Sequence, residues 1–162
     1  MSDFRIDTAT DADVPALLRL IRGLAEYERL SHLVVATEEA LRAALFGHRP
    51  VAEAILARVD GEVVGFAVFF PSFSTFAGRP NMYLEDLYVE PQWRRRGAGR
   101  KLFAHVARVA AARGCGQMSW SVLHWNEPAL NFYRGLGAAP VKDWVGYHLS
   151  GESFRRLAKD EG

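Results

Sequence analysis

The sequence lacks the features that mark several classes of protein. Cys115 is the one cysteine in 162 residues, which excludes an internal disulfide and a cysteine-based zinc cluster and suits a reducing compartment such as the cytoplasm. No uncharged stretch approaches the length of a membrane helix, and the N-terminus has no basic segment followed by the apolar core of a secretion signal. We therefore expect neither secretion nor a membrane as partner.

An excess of one charge is also missing, because 20 Lys and Arg residues stand against 19 Asp and Glu residues. This balance gives no global reason to expect nucleic acid as a partner. The five histidines show no metal-ligand spacing, so no metal is expected.

A length of 162 residues with 49% hydrophobic content predicts one domain over residues 1–162. Asp60-Gly61 is the strongest hairpin signal, and residues 71–80, with Gly, Ser and Pro, are predicted to be loop. The predicted strands are 4–8, 52–59, 62–70, 82–89, 118–123 and 144–149; the predicted helices are about 14–25, 37–46, 97–113, 126–137 and a short one at the C-terminus. This order predicts a mixed α/β domain around one sheet, with at least one strand-helix-strand crossover.

A basic glycine turn at residues 93–101 lies between a predicted buried strand and an amphipathic helix. Glycines let backbone amides approach a ligand, and the N–H groups of a helix start bind phosphate oxygens. The turn has neither the Walker spacing nor the dinucleotide fingerprint, so a pyrophosphate in another carrier is the natural ligand. A solvated basic turn remains an equal alternative from these residues alone, and a nucleic-acid patch has weaker support.

Three segments in order resemble one family. Arg94-Arg95-Arg96-Gly97-Ala98-Gly99 resembles the R/Q-x-x-G-x-G/A acetyl-CoA signature of the GNAT superfamily of N-acetyltransferases. Residues 83–89 (YLEDLYV) and 125–133 (WNEPALNFY) resemble the spermidine/spermine acetyltransferases and their thialysine-acetylating relatives. Together with residues 24–28 (LAEYE), the similarity covers nearly the whole chain.

The resemblance implies an α/β (α+β) domain with a mixed, mostly antiparallel twisted sheet of about six to seven strands, flanked by helices. Its central strands splay apart to admit acetyl-CoA, and the usual assembly is a homodimer. The residues that would bind the cofactor are Leu87, Tyr88 and Val89 at the pantetheine arm, Arg94, Arg95, Arg96, Gly97, Ala98, Gly99 and Arg100 at the pyrophosphate, and Asn126, Glu127, Pro128, Ala129 and Tyr133 on the far side and beside the sulfur.

An alkylamine is protonated at neutral pH and must lose a proton before it attacks a thioester. Glu85 lies at a position of its strand where the alternation predicts an apolar residue. Its carboxylate is either a general base or a structural group paired with an arginine or a backbone amide. Asp86 is expected on the opposite face as the weaker candidate. A strand bulge near Leu87 could free an N–H for the reacting oxygen. Tyr133 is the proton donor that the resemblance implies, or an aromatic packed on its helix.

Tyr27 and Glu28 match family positions that bind the acceptor amine, although both could equally be a solvated helix end. Val145 stands where the polyamine enzymes carry an acid, which favours a shorter or less charged acceptor such as thialysine, a lysine-like amino acid or a diamine. Two alternatives remain: a protein or peptide amine acetyltransferase, and an acyl-CoA-binding regulator without turnover.

Overall fold

The computed structural model describes residues 3–161, so Met1, Ser2 and Gly162 of the predicted domain lie outside the described residues. The chain forms two compact units, one up to Leu123 and one from His124 onward. The sheet belongs to the first unit, and the second contains two helices. That the two units form one domain stays a prediction. Every helix among residues 3–161 is too short or too polar to cross a bilayer.

A sheet of five strands in the order β1-β2-β3-β4-β5 organises the first unit. The strands are β1 (Phe4–Thr8), β2 (Glu53–Val59), β3 (Glu62–Ser74), β4 (Arg79–Val89) and β5 (Met118–Ser119), and the helices are α1 (Val14–Tyr27), α2 (Glu38–Phe46), α3 (Ala98–Ala112), α4 (Glu127–Gly135) and α5 (Gly151–Leu157). Strands β1 to β4 pair antiparallel, whereas β4 and β5 are parallel and are joined through α3. The predicted mixed, mostly antiparallel fold and its crossover are confirmed.

The predicted hairpin at Asp60-Gly61 joins β2 to β3. Both residues adopt positive φ, +50° at Asp60 and +87° at Gly61, and Val59 pairs with Glu62 across the turn. A two-residue turn of this kind matches the twist of the flanking strands and fixes their register. The register of the central β2–β3 ladder therefore follows directly from this dipeptide.

The loop predicted at residues 71–80 is confined to residues 75–78, and the prediction is wrong for the residues on either side. Strand β3 continues to Ser74 and β4 begins at Arg79, where these two residues pair. The prolines of this stretch indicated a loop, but they are compatible with a strand here. Strand β2 begins at Glu53, which pairs with Phe69, so at Pro71 strand β3 has a neighbour, β4, on one side only. A strand without a neighbour on one side tolerates the missing proline N–H.

Two predictions of extended structure near the C-terminal end are also corrected. Strand β5 covers two residues instead of 118–123, and residues 144–149 are irregular. A strand persists only where a neighbour satisfies its backbone groups. None of residues 144–149 has such a ladder within the described chain, so the sheet has five strands among residues 3–161 instead of about six to seven.

The core lies between α1 and the sheet. Leu17 and Leu20 of α1 are buried with Leu56 of β2 and Phe66 of β3, all with at most 1% of their surface exposed. Each such side chain contributes about 1.5–3 kcal/mol by leaving water. Helix α3 packs on β2, β3 and β4. The sheet, including β4, is thus held between α1 and α3.

Candidate active site

The two faces of β4 are directed toward different helices. A Cβ added to Gly23 of α1 would lie 2.9 Å from the Tyr88 hydroxyl, and one added to Gly99 of α3 would lie 3.8 Å from Leu87 Cδ2. Neighbouring residues of β4 therefore face α1 and α3 alternately. Tyr88, which is 8% exposed, belongs to the core beneath α1, so only its backbone is available to a cofactor.

Strands β4 and β5 separate soon after they meet. Met82 pairs with Met118 and Tyr83 with Ser119, after which β4 runs on to Val89 without a β5 partner among residues 3–161. This short pairing agrees with the splay that the resemblance implies. Because Glu90 donates to Val64 of β3, the backbone of Val89, and of Leu87 two residues earlier, is directed toward the gap.

The basic turn leads into the start of α3. Gly97 caps this helix with φ of +83°, a conformation that glycine adopts without strain. The first helical hydrogen bond of α3 runs from the Lys101 N–H to the Gly97 carbonyl, which leaves the preceding amides without an intrahelical acceptor. The side chains of Arg95, Arg96 and Arg100 are exposed around this end. Free amides, a positive helix end and cationic side chains suit a pyrophosphate.

Arg94 differs from the arginines that follow it. Its Nε donates a 2.8 Å hydrogen bond to the carbonyl of Val89, and it is partly buried. Its guanidinium carbon lies 4.7 Å from the ring centroid of Tyr27 and 5.4 Å from that of Tyr88. The side chain of Arg94 thus connects the basic turn with the C-terminal end of α1.

A bulge in β4 places the two adjacent acids differently from the sequence prediction. Val68 of β3 pairs with Asp86 and Phe69 pairs with Leu84, so Glu85 is the extra residue and has no partner across the ladder. The regular alternation assumed for Glu85 is therefore interrupted, and its side chain is exposed. The bulge expected near Leu87 occurs at Glu85.

Two other carboxylates act on Asp86 beside this bulge. Burial, together with the charges of Glu85 and Glu28, raises the pKa of Asp86 from 3.8 to about 6. Burial also raises the pKa of Glu28, the residue that caps α1. Within residues 3–161, none of these three carboxylates forms an ion pair. The site is a cluster of carboxylates whose negative charge is not neutralised by an ion pair within residues 3–161.

Sequence reasoning underrated Asp86. Its acidic pair with Glu85 was visible, but strict alternation suggested that the second acid faced away from the chemistry. The bulge and the end of α1 bring Asp86 within electrostatic reach of Glu28, which lies far from it in sequence. No group of three or more His, Cys, Asp or Glu residues suited to a metal ion occurs among the described residues.

The remaining predicted residues belong to the unit that begins at His124. Asn126 Oδ1 accepts a hydrogen bond from the Ala129 N–H at 3.4 Å, which confirms the predicted cap of α4. Glu127 forms a 3.1 Å ion pair with Arg134. The half-buried ring of Tyr133 lies 5.6 Å from that of Phe132, centroid to centroid. Roles in cofactor binding for residues 126–129 and for Tyr133 stay predictions.

Comparison with known proteins agrees with this geometry. The model of the acetyltransferase (GNAT) family matches residues 17–138, which include the splayed strands, the basic turn and α4. The chain belongs to this family. This GNAT protein is an N-acetyltransferase, and the family uses an acyl-CoA donor.

Three relatives illustrate the similarity. The GNAT protein is 42% identical to the thialysine N-epsilon-acetyltransferase of Mus musculus over 98% of this chain and 99% of the relative. It is 30% identical to an L-ornithine N5-acetyltransferase of Arabidopsis thaliana over 96% of this chain and 88% of the relative. An integron cassette protein from the mobile metagenome of V. cholerae superimposes with a TM-score of 0.81 at 25% identity, covering 97% of this chain and 98% of that one.

Proposed function

We propose that the protein transfers an acetyl group from acetyl-CoA to the side-chain amine of thialysine or a lysine-like amino acid, or to a diamine. The observation that carries this proposal is the cluster of Glu28, Glu85 and Asp86, none of which forms an ion pair among the described residues. Relatives that act on thialysine and ornithine support it, because both acceptors carry a terminal ammonium on a short chain.

The carboxylates have two tasks in this proposal. Asp86 and Glu28 attract the ammonium of the acceptor, because their mutual repulsion is relieved when a cation lies between them. Tyr27, directly before Glu28, adds an aromatic ring to the binding surface. Glu85, exposed at the bulge, removes the proton of the ammonium directly or through a water molecule.

The cofactor residues fit acetyl-CoA. The amides at the start of α3, with Arg95, Arg96 and Arg100, would hold the pyrophosphate. The backbones of Leu87 and Val89 would bind the pantetheine arm in the gap beside β4. Acetyl-CoA, when bound, supplies the thioester that the amine attacks. Tyr133 would donate the proton that the departing thiolate needs.

Release of free CoA thiol from acetyl-CoA tests the proposal across thialysine, lysine, putrescine, spermidine and a lysine-containing peptide. We expect saturable turnover with thialysine or another small amine. A preference for the peptide would replace this assignment with a protein amine acetyltransferase. Binding of acetyl-CoA in calorimetry without any amine-dependent thiol release would instead favour the regulator.

The acceptor preference is expected to depend on Val145. This side chain is 77% exposed, so Val145→Glu should leave the fold intact while it adds the acid that polyamine enzymes carry there. We expect kcat/KM for spermidine to rise by about three- to tenfold relative to that for thialysine, the effect of one additional charge pair of about 1 kcal/mol. Val145→Gln is the matched control, and an equal gain in that variant would rule out a charge effect.

We further propose that the protein assembles as a homodimer, as the resemblance implies. Sedimentation equilibrium at micromolar concentration tests this directly. A mass near 18.1 kDa over the whole concentration range would exclude the dimer.

A further inference from the structure

We propose that Arg94 is a positioning residue for the acceptor site, although the resemblance places it with the cofactor. This inference rests on the proposed function, because it assumes that the end of α1 binds the acceptor. Its first support is direction: the Nε of Arg94 donates to Val89 at 2.8 Å, and the guanidinium lies against the rings of Tyr27 and Tyr88.

Tyr88 provides the fixed side of this arrangement. Its ring is buried under α1, 6.5 Å from the ring of Phe66, and its hydroxyl lies so close to Gly23 that a Cβ there would come within 2.9 Å. Burial raises the pKa of the Tyr88 phenol, and the positive charge of Arg94 opposes this shift. Because its ring is buried against Phe66 and Gly23, the phenol is a rigid support for the guanidinium.

Tyr27 links Arg94 to the C-terminal end of α1, which is the segment that Arg94 restrains. It is the last residue of α1, one helical turn beyond Gly23 on the same face. Helix termini open locally at a lower cost in free energy than helix interiors. A cation held over the rings of both Tyr88 and Tyr27 restrains this end, and such contacts are strongest where water is partly excluded.

The restraint reaches the acceptor carboxylates through the next residue. Glu28 follows Tyr27 directly and is one of the two charges that raise the pKa of Asp86. The chain then reverses at Arg29, whose φ of +61° is left-handed. The position of Glu28 is thus set by the last turn of α1 on one side and by this reversal on the other.

In this proposal Arg94 serves the acceptor site, whereas the adjacent Arg95 binds acetyl-CoA. Arg95 is exposed at the start of α3, where a pyrophosphate would bind, whereas Arg94 is partly buried and directed toward α1. The division gives opposite kinetic expectations for two neighbouring residues of the same type. Arg94→Gln and Arg95→Gln are therefore matched variants.

The test measures steady-state kinetics with both substrates varied. We expect Arg94→Gln to raise KM for the acceptor about tenfold, the effect of losing two cation–π contacts, with KM for acetyl-CoA changed less than twofold. Arg94→Lys should restore part of the loss, because lysine keeps the cation. Arg95→Gln should raise KM for acetyl-CoA and leave that for the acceptor unchanged. A rise in KM for acetyl-CoA in Arg94→Gln, alone or equal to that for the acceptor, would overturn the inference.

A second measurement does not depend on turnover. The N–H groups of Glu28 and Leu30 donate to the carbonyls of Leu24 and Ala25, and their hydrogen exchange reports on the end of α1. We expect exchange in Arg94→Gln to be about tenfold faster there than in wild type and in Arg108→Gln, a control at an exposed position of α3. Unchanged exchange would overturn the inference. Absence of amine turnover in wild type would instead count against the proposed function.

Discussion

Asp86→Asn is expected to make the protein more stable at neutral pH and less active. The pKa of Asp86 is raised from 3.8 to about 6 in the folded protein, so the folded state binds this proton more tightly than the unfolded chain. The free energy of unfolding therefore falls as pH rises through this window and stays lower above it. Asparagine does not ionise, and the variant should gain about 3 kcal/mol above pH 7.

Urea unfolding at pH 4 and pH 8 checks this result. The stabilisation should be small at pH 4, where Asp86 is protonated in the folded protein, and complete at pH 8. A gain of equal size at both pH values would contradict the raised pKa. Activity should change in the opposite direction, with kcat/KM for the acceptor at least about tenfold lower, because an ammonium loses a charged partner. The acidic limb of the wild-type pH profile, near pH 6, should disappear in the variant.

Glu85→Gln is expected to reduce kcat by roughly 100-fold with little change in KM for the acceptor, because loss of a general base typically costs this much or more. Raising the pH should recover part of the rate, since more of the amine is then already neutral. Initial rates between pH 7 and pH 10 measure both effects. Glu85 is exposed, so a change in folding is not expected to confuse the result.

Glu62→Gln is the matched control for this variant, because Glu62 is an exposed acid at the start of β3, at the β2–β3 turn. Its rate should equal that of wild type. A Glu85→Gln enzyme with an undiminished kcat would remove Glu85 from the chemistry and leave Asp86 as the candidate base. The pH profile of Asp86→Asn would then test whether Asp86 is the general base.

Local signals in the sequence predicted most of the fold. The Asp60-Gly61 turn and the caps at Thr37 and Asn126 act within a few residues, and the structure contains all three. The failures have causes outside any local window. Residues 71–74 pair with residues 79–82 because β3 and β4 continue beyond the end of β2, and Pro71 is tolerated only for that reason.

The site was predicted in part for the same reason. The basic turn and the acidic pair were recognisable as segments, and the structure places the turn at the start of α3 and the acids on β4, as expected. The bulge at Glu85 depends on the β3–β4 register, and the approach of Glu28 to Asp86 depends on the packing of α1. Neither the register nor the packing can be predicted from a short segment of sequence. Contacts across such separations escape pattern reasoning because no periodicity encodes them.

The order of the strands has a consequence for folding kinetics. Strands β2, β3 and β4 are neighbours both in the sequence and in the sheet, so their hairpins, including the bulge at Glu85, close short loops. Glu28 meets Asp86 only when α1 packs on this meander. We therefore expect the repulsion between Glu28 and Asp86 to develop after the hairpins have formed, and to accelerate unfolding more than it slows folding.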